Sequence, residues 1–144
     1  MRHKAYKWIG EKMKSIFQFS NPALLRLDFK INNNFCSNDG EEIKLKLAVE
    51  TRINMEENAE EALVVLCVTI GEKTEEVPFY VYAEESANFR WKREAYDEDA
   101  IGRLLKQNAP ALLLSYLRPI IANITVASPY SAYDIPFMNF RENQ

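Results

Sequence analysis

A chain of 144 residues with 47% hydrophobic and 27% charged residues has the composition of a globular protein rather than a disordered one. Its length is close to the commonest domain size, so we expect a single domain over 1–144 that buries a core without a disulfide or a metal. A formal net charge of −3 leaves no electrostatic footprint for nucleic acid. Four glycines, one histidine and two cysteines in no CxxC spacing leave no motif for a phosphate loop, a histidine-dependent nucleophile or a thiolate metal site. We therefore expect no enzyme activity, no cofactor and no nucleic-acid partner.

Residues 1–18 are predicted to form a basic N-terminal arm. Their only acid is Glu11, and their basic side chains are Arg2, His3, Lys4, Lys7, Lys12 and Lys14. Two interpretations stay open: an amphipathic arm for a membrane surface or an acidic partner, and a flexible terminus whose end begins the first strand. No stretch reaches the roughly 18 apolar residues of a membrane-spanning helix, because Arg118 and Pro119 interrupt the nearest one. We expect a cytoplasmic protein without membrane insertion.

Two alternating runs predict the first two strands. Leu25, Leu27, Phe29 and Ile31 share one face, and the odd-numbered residues from Ile43 to Ile53 share the inward face of the next strand. Asn38-Asp39-Gly40 between them is a strong turn signal. The sequence therefore predicts a hairpin of these two strands.

Two further strands complete the predicted sheet. Residues 62–70 are almost continuously apolar and β-branched, which is typical of a strand that is covered on both faces. In the next run Phe79, Val81 and Ala83 share one face, and Tyr80 and Tyr82 share the other. Residues 86–94 are interpreted as a charged connection to the helices. Large aromatic side chains on the face that is normally solvated predict that Tyr80 and Tyr82 dock a partner.

The last third of the chain predicts two helices and an apolar tail. Asp97-Glu98-Asp99 suits the first turn of a short helix, and Asn108 with Pro110 suits the start of a long helix over 110–127. That helix has no wide polar face, so it must be buried on nearly all sides. Two helices on one face of a single sheet do not bury it, and the sequence thus predicts a subunit interface or a bound polypeptide. Residues 128–144 form an apolar, aromatic tail.

The pattern Tyr116-x-Arg118-x-x-Ile121, followed by Asn139-Phe140, resembles the bacterial protein-export chaperone SecB and its relatives. The order of elements resembles that family as well. The resemblance implies an α+β fold with a four-stranded antiparallel sheet and two C-terminal helices on one face. It also implies a homotetramer built as a dimer of dimers and a function as an ATP-independent holdase, which binds unfolded or precursor polypeptides in apolar grooves and delivers them for export.

This chain departs from the SecB pattern on the outer face of the sheet. The acidic positions through which the family docks the translocation motor SecA correspond here to Arg26, Lys30, Tyr80 and Tyr82. Engagement of SecA stays open for that reason. A first alternative is a dedicated SecB-like partner of one protein, such as an antitoxin of a toxin–antitoxin system. A second is a protein with this fold that binds a small apolar ligand.

The resemblance and the apolar pattern together nominate the site residues. The predicted client-binding residues are Leu45, Leu47, Ile120, Ile124, Tyr130, Tyr133, Ile135, Phe137 and Met138. The predicted oligomer interface consists of Leu113, Leu117 and Ile121. Tyrosine and methionine suit contact with varied clients because they offer a large area with adaptable packing.

Overall fold

One antiparallel sheet and one long helix form the fold in the computed structural model, which describes residues 8–9, 17–36, 42–74 and 76–141. The strands in these ranges are β1 (Trp8–Ile9), β2 (Phe17–Ser20), β3 (Ala23–Ile31), β4 (Leu47–Asn54), β5 (Glu61–Gly71) and β6 (Phe79–Trp91). The predicted α+β class with an antiparallel sheet is confirmed. The predicted count of four strands is not, because the first strand is broken into β2 and β3 and the two-residue β1 is added at the edge.

The strands follow a Greek-key order. β2 and β3 lie end to end along the edge of β6 that β5 leaves open, and β4 pairs only with the other edge of β5. The first long strand therefore lies beside the last, while β4, β5 and β6 follow one another as hairpins.

The predicted hairpin of the first two strands is wrong. β3 pairs with β6 and β4 pairs with β5. The predicted turn at 38–40 lies outside the described residues. Asn32 shows where the chain goes instead: its backbone N–H donates to the Pro78 carbonyl at 2.9 Å, and its side chain donates to the Thr74 carbonyl at 2.7 Å. The end of β3 is thus bound to the connection between β5 and β6.

The structure changes two predictions for these strands: the side on which Leu25 lies and the end of the last strand. The pairing of β3 with β6 shifts by one residue between Leu24 and Arg26, and Leu25 is 56% exposed rather than inward-facing. The strand predicted to end at Ala83 continues to Trp91, so the charged connection is the second half of β6. Alternation persists there, since Ala87, Phe89 and Trp91 are buried on the same face as Val81.

The two predicted helices are one continuous helix. It consists of α1 (Glu98–Arg103), a π-helical turn (Leu104–Asn108) and α2 (Ala109–Val126). It begins at the predicted acidic residues: Asp97 caps it, accepting a hydrogen bond from Ala100 N–H at 2.7 Å, and Glu98 and Asp99 lie in its first turn. Asn108 does not cap a second helix, because its own backbone is helical and its side chain makes no capping bond. Since Pro110 has no N–H to offer the preceding turn, the backbone widens and Ala109 N–H donates to the Leu104 carbonyl instead.

The core lies between this helix and the sheet. One row of buried residues recurs at every fourth position along the helix, from Ile101 through Leu105, Ala109, Leu113, Leu117 and Ile121 to Thr125, and Pro110 and Leu114 are buried beside it. A repeat of four residues is longer than the 3.6 residues of an α-helical turn, so the buried row gradually rotates around the helix. The wider π-helical turn offsets part of that rotation. These residues cover the central strands β5 and β6. By length and composition the helix could also cross a membrane, a test that the core helix of a globular protein passes as well.

Candidate polypeptide-binding surface

The tail after α2 is held against the helix by Arg118. Its Nε donates to the Ile135 carbonyl at 2.7 Å, and its guanidinium carbon lies 4.1 Å from the centre of the Phe137 ring. Ile135 is fully buried and Phe140 is largely buried. Arg118 and Phe140 belong to the motif that carries the SecB resemblance; in this structure Arg118 connects the tail to the helix and Phe140 is part of the hydrophobic core.

Aromatic contacts join the start of the tail to the end of the sheet. The Phe79 ring lies 6.2 Å from that of Tyr130 and 6.4 Å from that of Tyr133, and Phe35 packs edge-on against Tyr130 at 6.2 Å. Such offset and edge-on pairs contribute beyond their buried area. Burial raises the pKa of the Tyr133 hydroxyl above its ordinary value. These contacts bring the predicted tail residues onto the inner side of the sheet.

Most of the predicted client-binding residues lie half-buried at the margin of the core. This group consists of Leu45, Leu47, Ile120, Ile124, Tyr130, Tyr133 and Met138. Phe137 is 88% exposed and presents its ring to solvent beside Arg118. Ile135 is the exception: it is sealed in the core, so the structure corrects its predicted role from client contact to anchor of the tail.

The predicted oligomer interface also requires correction. Leu113, Leu117 and Ile121 are fully buried against the chain's own sheet and have no exposed surface for a second copy. The solvent-facing side of α2 is a different one and carries no charge. Its exposed residues are Ala111, Ser115, Tyr116, Pro119, Asn123 and Val126.

Tyr80 and Tyr82 lie on the outer face of the sheet, half-buried beneath cations. Lys73 Nζ lies 4.9 Å from the centre of the Tyr80 ring, and the Arg26 guanidinium lies 5.1 Å from that of Tyr82. The Tyr82 hydroxyl donates to Glu84 Oε2 at 2.6 Å, and this bond, followed by burial, raises the pKa of Tyr82. Both rings therefore belong to a charged surface rather than to a bare aromatic patch.

Sequence reasoning missed Glu85. The side chain is only 2% exposed, its Oε2 atom has no hydrogen-bond partner, and burial raises the pKa of the carboxyl to about 7. The signal was present, because Glu85 continues the inward alternation of Val81 and Ala83. It was missed because the predicted strand ended at Ala83, two residues earlier.

One Greek-key antiparallel sheet, one C-terminal helix that covers it and a tail fastened to that helix define a SecB-like fold. The SecB-like chaperone of Mycobacterium tuberculosis, solved in complex with a ChAD peptide from the HigA1 antitoxin, superposes with a TM-score of 0.64. The match covers 90% of this chain and 93% of that one at 14% sequence identity, so it shows the fold alone.

Two further proteins are similar to this chain, and no family model matches the sequence. An uncharacterized protein of Methanocaldococcus jannaschii is 26% identical over 129 residues, which is 88% of this chain and 81% of the relative. A protein of unknown function from Streptococcus agalactiae superposes with a TM-score of 0.46 at 13% identity, covering 93% of this chain and all of that one. A TM-score below 0.5 does not establish a shared fold.

Proposed function

We propose that this protein is a cytoplasmic, ATP-independent holdase that binds unfolded or extended segments of other polypeptides on the apolar surface of its helix and tail. The observation that carries the proposal is the apolar tail, in which the side chain of Phe137 is 88% exposed and those of Tyr130, Tyr133 and Met138 are half-buried. Partly exposed apolar side chains concentrated in one short segment are typical of an interaction surface, whereas single ones scattered over a protein surface are normal.

Holding an unfolded segment requires accessible apolar area and no covalent chemistry. On the order of 300 Å² of shared apolar contact, at about 25 cal/mol per Å², is a gross gain of about 7 kcal/mol before the ordering cost of the client. Folded proteins bury most of their own large apolar side chains. The surface therefore binds unfolded segments in preference to folded proteins. Several copies of a weak site on one assembly would bind a long client multivalently.

An aggregation assay tests the proposal. The wild-type protein is expected to suppress aggregation of a chemically unfolded test protein on dilution, and Phe137→Ser is expected to weaken that suppression. The matched control is Leu25→Ser, because Leu25 is also exposed and apolar but lies on β3 away from the tail. A wild-type protein without any suppressing activity would contradict the holdase function.

Self-association is part of the proposal, through the uncharged solvent-facing side of α2 defined above. Tyr116 is exposed at the middle of that side. We expect a dimer of dimers by native mass spectrometry, and Tyr116→Glu should reduce the assembly because a carboxylate would be placed in an apolar interface. A single copy at micromolar concentration would contradict this arrangement.

A dedicated partnership with one protein, such as an antitoxin, is the second candidate. It is supported by the structural neighbour from Mycobacterium tuberculosis, whose bound peptide comes from an antitoxin. The basic Arg26 and Lys30 on the outer face, where the SecB pattern has acids for SecA, support it as well.

Purification of the native protein from its own cells separates the two candidates. Many unrelated precursors would support the general holdase in protein export, and one stoichiometric partner would support the dedicated role.

A further inference from the structure

A small polar pocket lies on the outer face of the sheet, where β3 ends. It is lined by the end of β3, residues 32–34 that follow it, the turn 72–74 after β5 and Tyr80 of β6. Lys30 of β3 and Tyr80 are direct neighbours across the two strands. The pocket has a volume of about 370 Å³, which is at the small end of the range for ligand-binding sites. It is separate from the tail, which contacts Phe79 on the inner side of the sheet.

Asn32 fixes the walls of this pocket. Its side-chain amide donates to the carbonyl of Thr74 at 2.7 Å and to that of Val77 at 3.1 Å. Its side-chain oxygen accepts a hydrogen bond from the backbone N–H of Asn34 at 3.1 Å. One side chain thus holds the end of β3 against the chain between β5 and β6. A site whose walls are already held in place loses less free energy to ordering when a ligand binds.

The side-chain donors around the pocket are not used within the protein. Among the described residues, the side chains of Lys30, Asn33 and Thr74 form no hydrogen bond or ion pair. The hydroxyl of Tyr80 forms none there either, and its ring lies beneath Lys73, whose Nζ is 4.9 Å from the ring centre. These groups can therefore donate to a ligand without the loss of an existing bond.

Positive charge prevails in the pocket. Glu72 is the one carboxylate among the described lining residues, and Lys46 Nζ pairs with it at 2.6 Å. Within 17–36, 42–74 and 76–141, no carboxylate forms an ion pair with Lys30 or Lys73. Two ammonium groups without a counter-ion attract a dianion more strongly than a monoanion.

We propose that this pocket binds a small phosphate ester, such as a phosphorylated sugar. A phosphate monoester is mostly dianionic at neutral pH and offers three strong acceptor oxygens, which suits the ammonium groups of Lys30 and Lys73. The side chains of Asn33, Thr74 and Tyr80 hydrogen-bond the hydroxyl groups of the ester. This inference is independent of the proposed holdase function, since the pocket and the apolar tail lie on opposite sides of the sheet.

The experiment is a titration of the full chain with ribose 5-phosphate, followed in amide NMR spectra. We expect saturable shifts confined to the amides of 30–34, 72–74 and 80, with a dissociation constant of roughly 1 mM or below. Lys30→Gln with Lys73→Gln should weaken binding roughly tenfold or more, because both charge-assisted contacts to the phosphate are lost. The matched control is Lys92→Gln with Lys106→Gln, which removes two exposed lysines outside the pocket and should bind like the wild type.

Tyr80→Phe tests the hydrogen bond to the ester separately from the charge. It keeps the ring beneath Lys73 and removes only the hydroxyl, so binding of ribose 5-phosphate should weaken by less than in the double lysine variant. Binding of inorganic phosphate should be weaker than that of the ester and should not change in Tyr80→Phe.

Three outcomes would overturn the inference. Unchanged binding in Lys30→Gln with Lys73→Gln, or shifts spread over the whole surface, would place the phosphate elsewhere. Inorganic phosphate that binds as tightly as ribose 5-phosphate would show that the rest of the pocket contacts no ester. A phosphoserine peptide that binds more tightly than ribose 5-phosphate would assign the pocket to a polypeptide instead of a small molecule. None of these results bears on the suppression of aggregation, which is measured separately.

Discussion

The backbone N–H of Tyr133 donates to the side-chain hydroxyl of Thr125 at 2.7 Å, and that hydroxyl in turn donates to the Ile121 carbonyl at 2.7 Å. Thr125 is fully buried at the last turn of α2. The reversal from helix to tail is therefore built around a hydroxyl that serves both segments. The tail is part of the folded core at this point and not an appendage.

Replacement of that hydroxyl should destabilise the protein. Thr125→Val keeps the shape of the side chain but leaves the part-buried Tyr133 N–H without its acceptor, which costs about 1–3 kcal/mol of unfolding free energy. Urea denaturation measures the loss. Thr125→Ser retains the hydroxyl and should recover most of the stability, whereas equal losses in both variants would show that the methyl group matters instead.

The planar guanidinium of Arg118 should be required to hold the tail. Arg118→Lys keeps the charge but has no Nε–H directed at the Ile135 carbonyl and no flat face above Phe137. We expect faster hydrogen exchange at the amides of 131–140, with the exchange of β5 and β6 unchanged. Arg103→Lys, at an exposed position of α1, is the control. Unchanged protection of the tail would mean that its aromatic contacts hold it without the arginine.

Glu85 should make stability depend on pH. Because its folded pKa of about 7 exceeds the ordinary value of about 4.5, the folded state binds the proton more tightly than the unfolded state. The contribution of Glu85 to the free energy of unfolding is therefore greatest below the unfolded pKa and is lost as the pH rises from about 4.5 through about 7, by up to about 3 kcal/mol at 1.36 kcal/mol per pKa unit. Denaturation at a series of pH values measures the slope. Glu85→Gln should flatten it and the exposed Glu61→Gln should not; a flat profile in the wild type contradicts the assignment.

Two neighbouring tail residues should separate anchoring from client contact. Ile135→Ala removes a fully buried side chain and should cost about 2–5 kcal/mol, as for other large-to-small core substitutions. Phe137→Ser alters a side chain that is 88% exposed and should change stability by no more than about 0.5 kcal/mol. Thermal unfolding compares the two. A large loss in Phe137→Ser would identify it as part of the fold and weaken the functional interpretation of its exposure.

Two glycines should respond in opposite directions to the same substitution. Gly102→Ala adds a methyl group in open space on a helix and should raise the unfolding free energy by about 1 kcal/mol. Gly71→Ala places a Cβ against the Phe79 carbonyl oxygen at a φ of +75° and should destabilise the protein strongly. Melting temperatures decide both. Stabilisation by Gly71→Ala would mean that the turn after β5 rearranges.

Regular periodicity in the sequence predicted the elements that contain it. The structure confirms the alternation from Leu47 to Ile53, the apolar run of β5 and the start of a helix at the acidic residues 97–99. The pairing of the first two long strands was predicted wrongly, because a turn signal does not distinguish a hairpin from a crossover. The helix break predicted at Asn108 was replaced by a wide turn, since the continuous core contact of Leu105, Ala109 and Leu113 favours an unbroken helix.

The sequence by itself determined which segments form strands, which form helices and how much apolar surface the last third of the chain carries. These properties depend on neighbours within a few residues. Only the tertiary structure decided which side of α2 is buried. A helix that is apolar all round gives no local signal for that choice, and the packing of Leu113, Leu117 and Ile121 on β5 and β6 leaves Tyr116 outside. The tertiary structure also decided which tail residues are buried. Arg118 binds the carbonyl of Ile135, whose side chain lies in the core, while Phe137 two residues later is exposed to solvent.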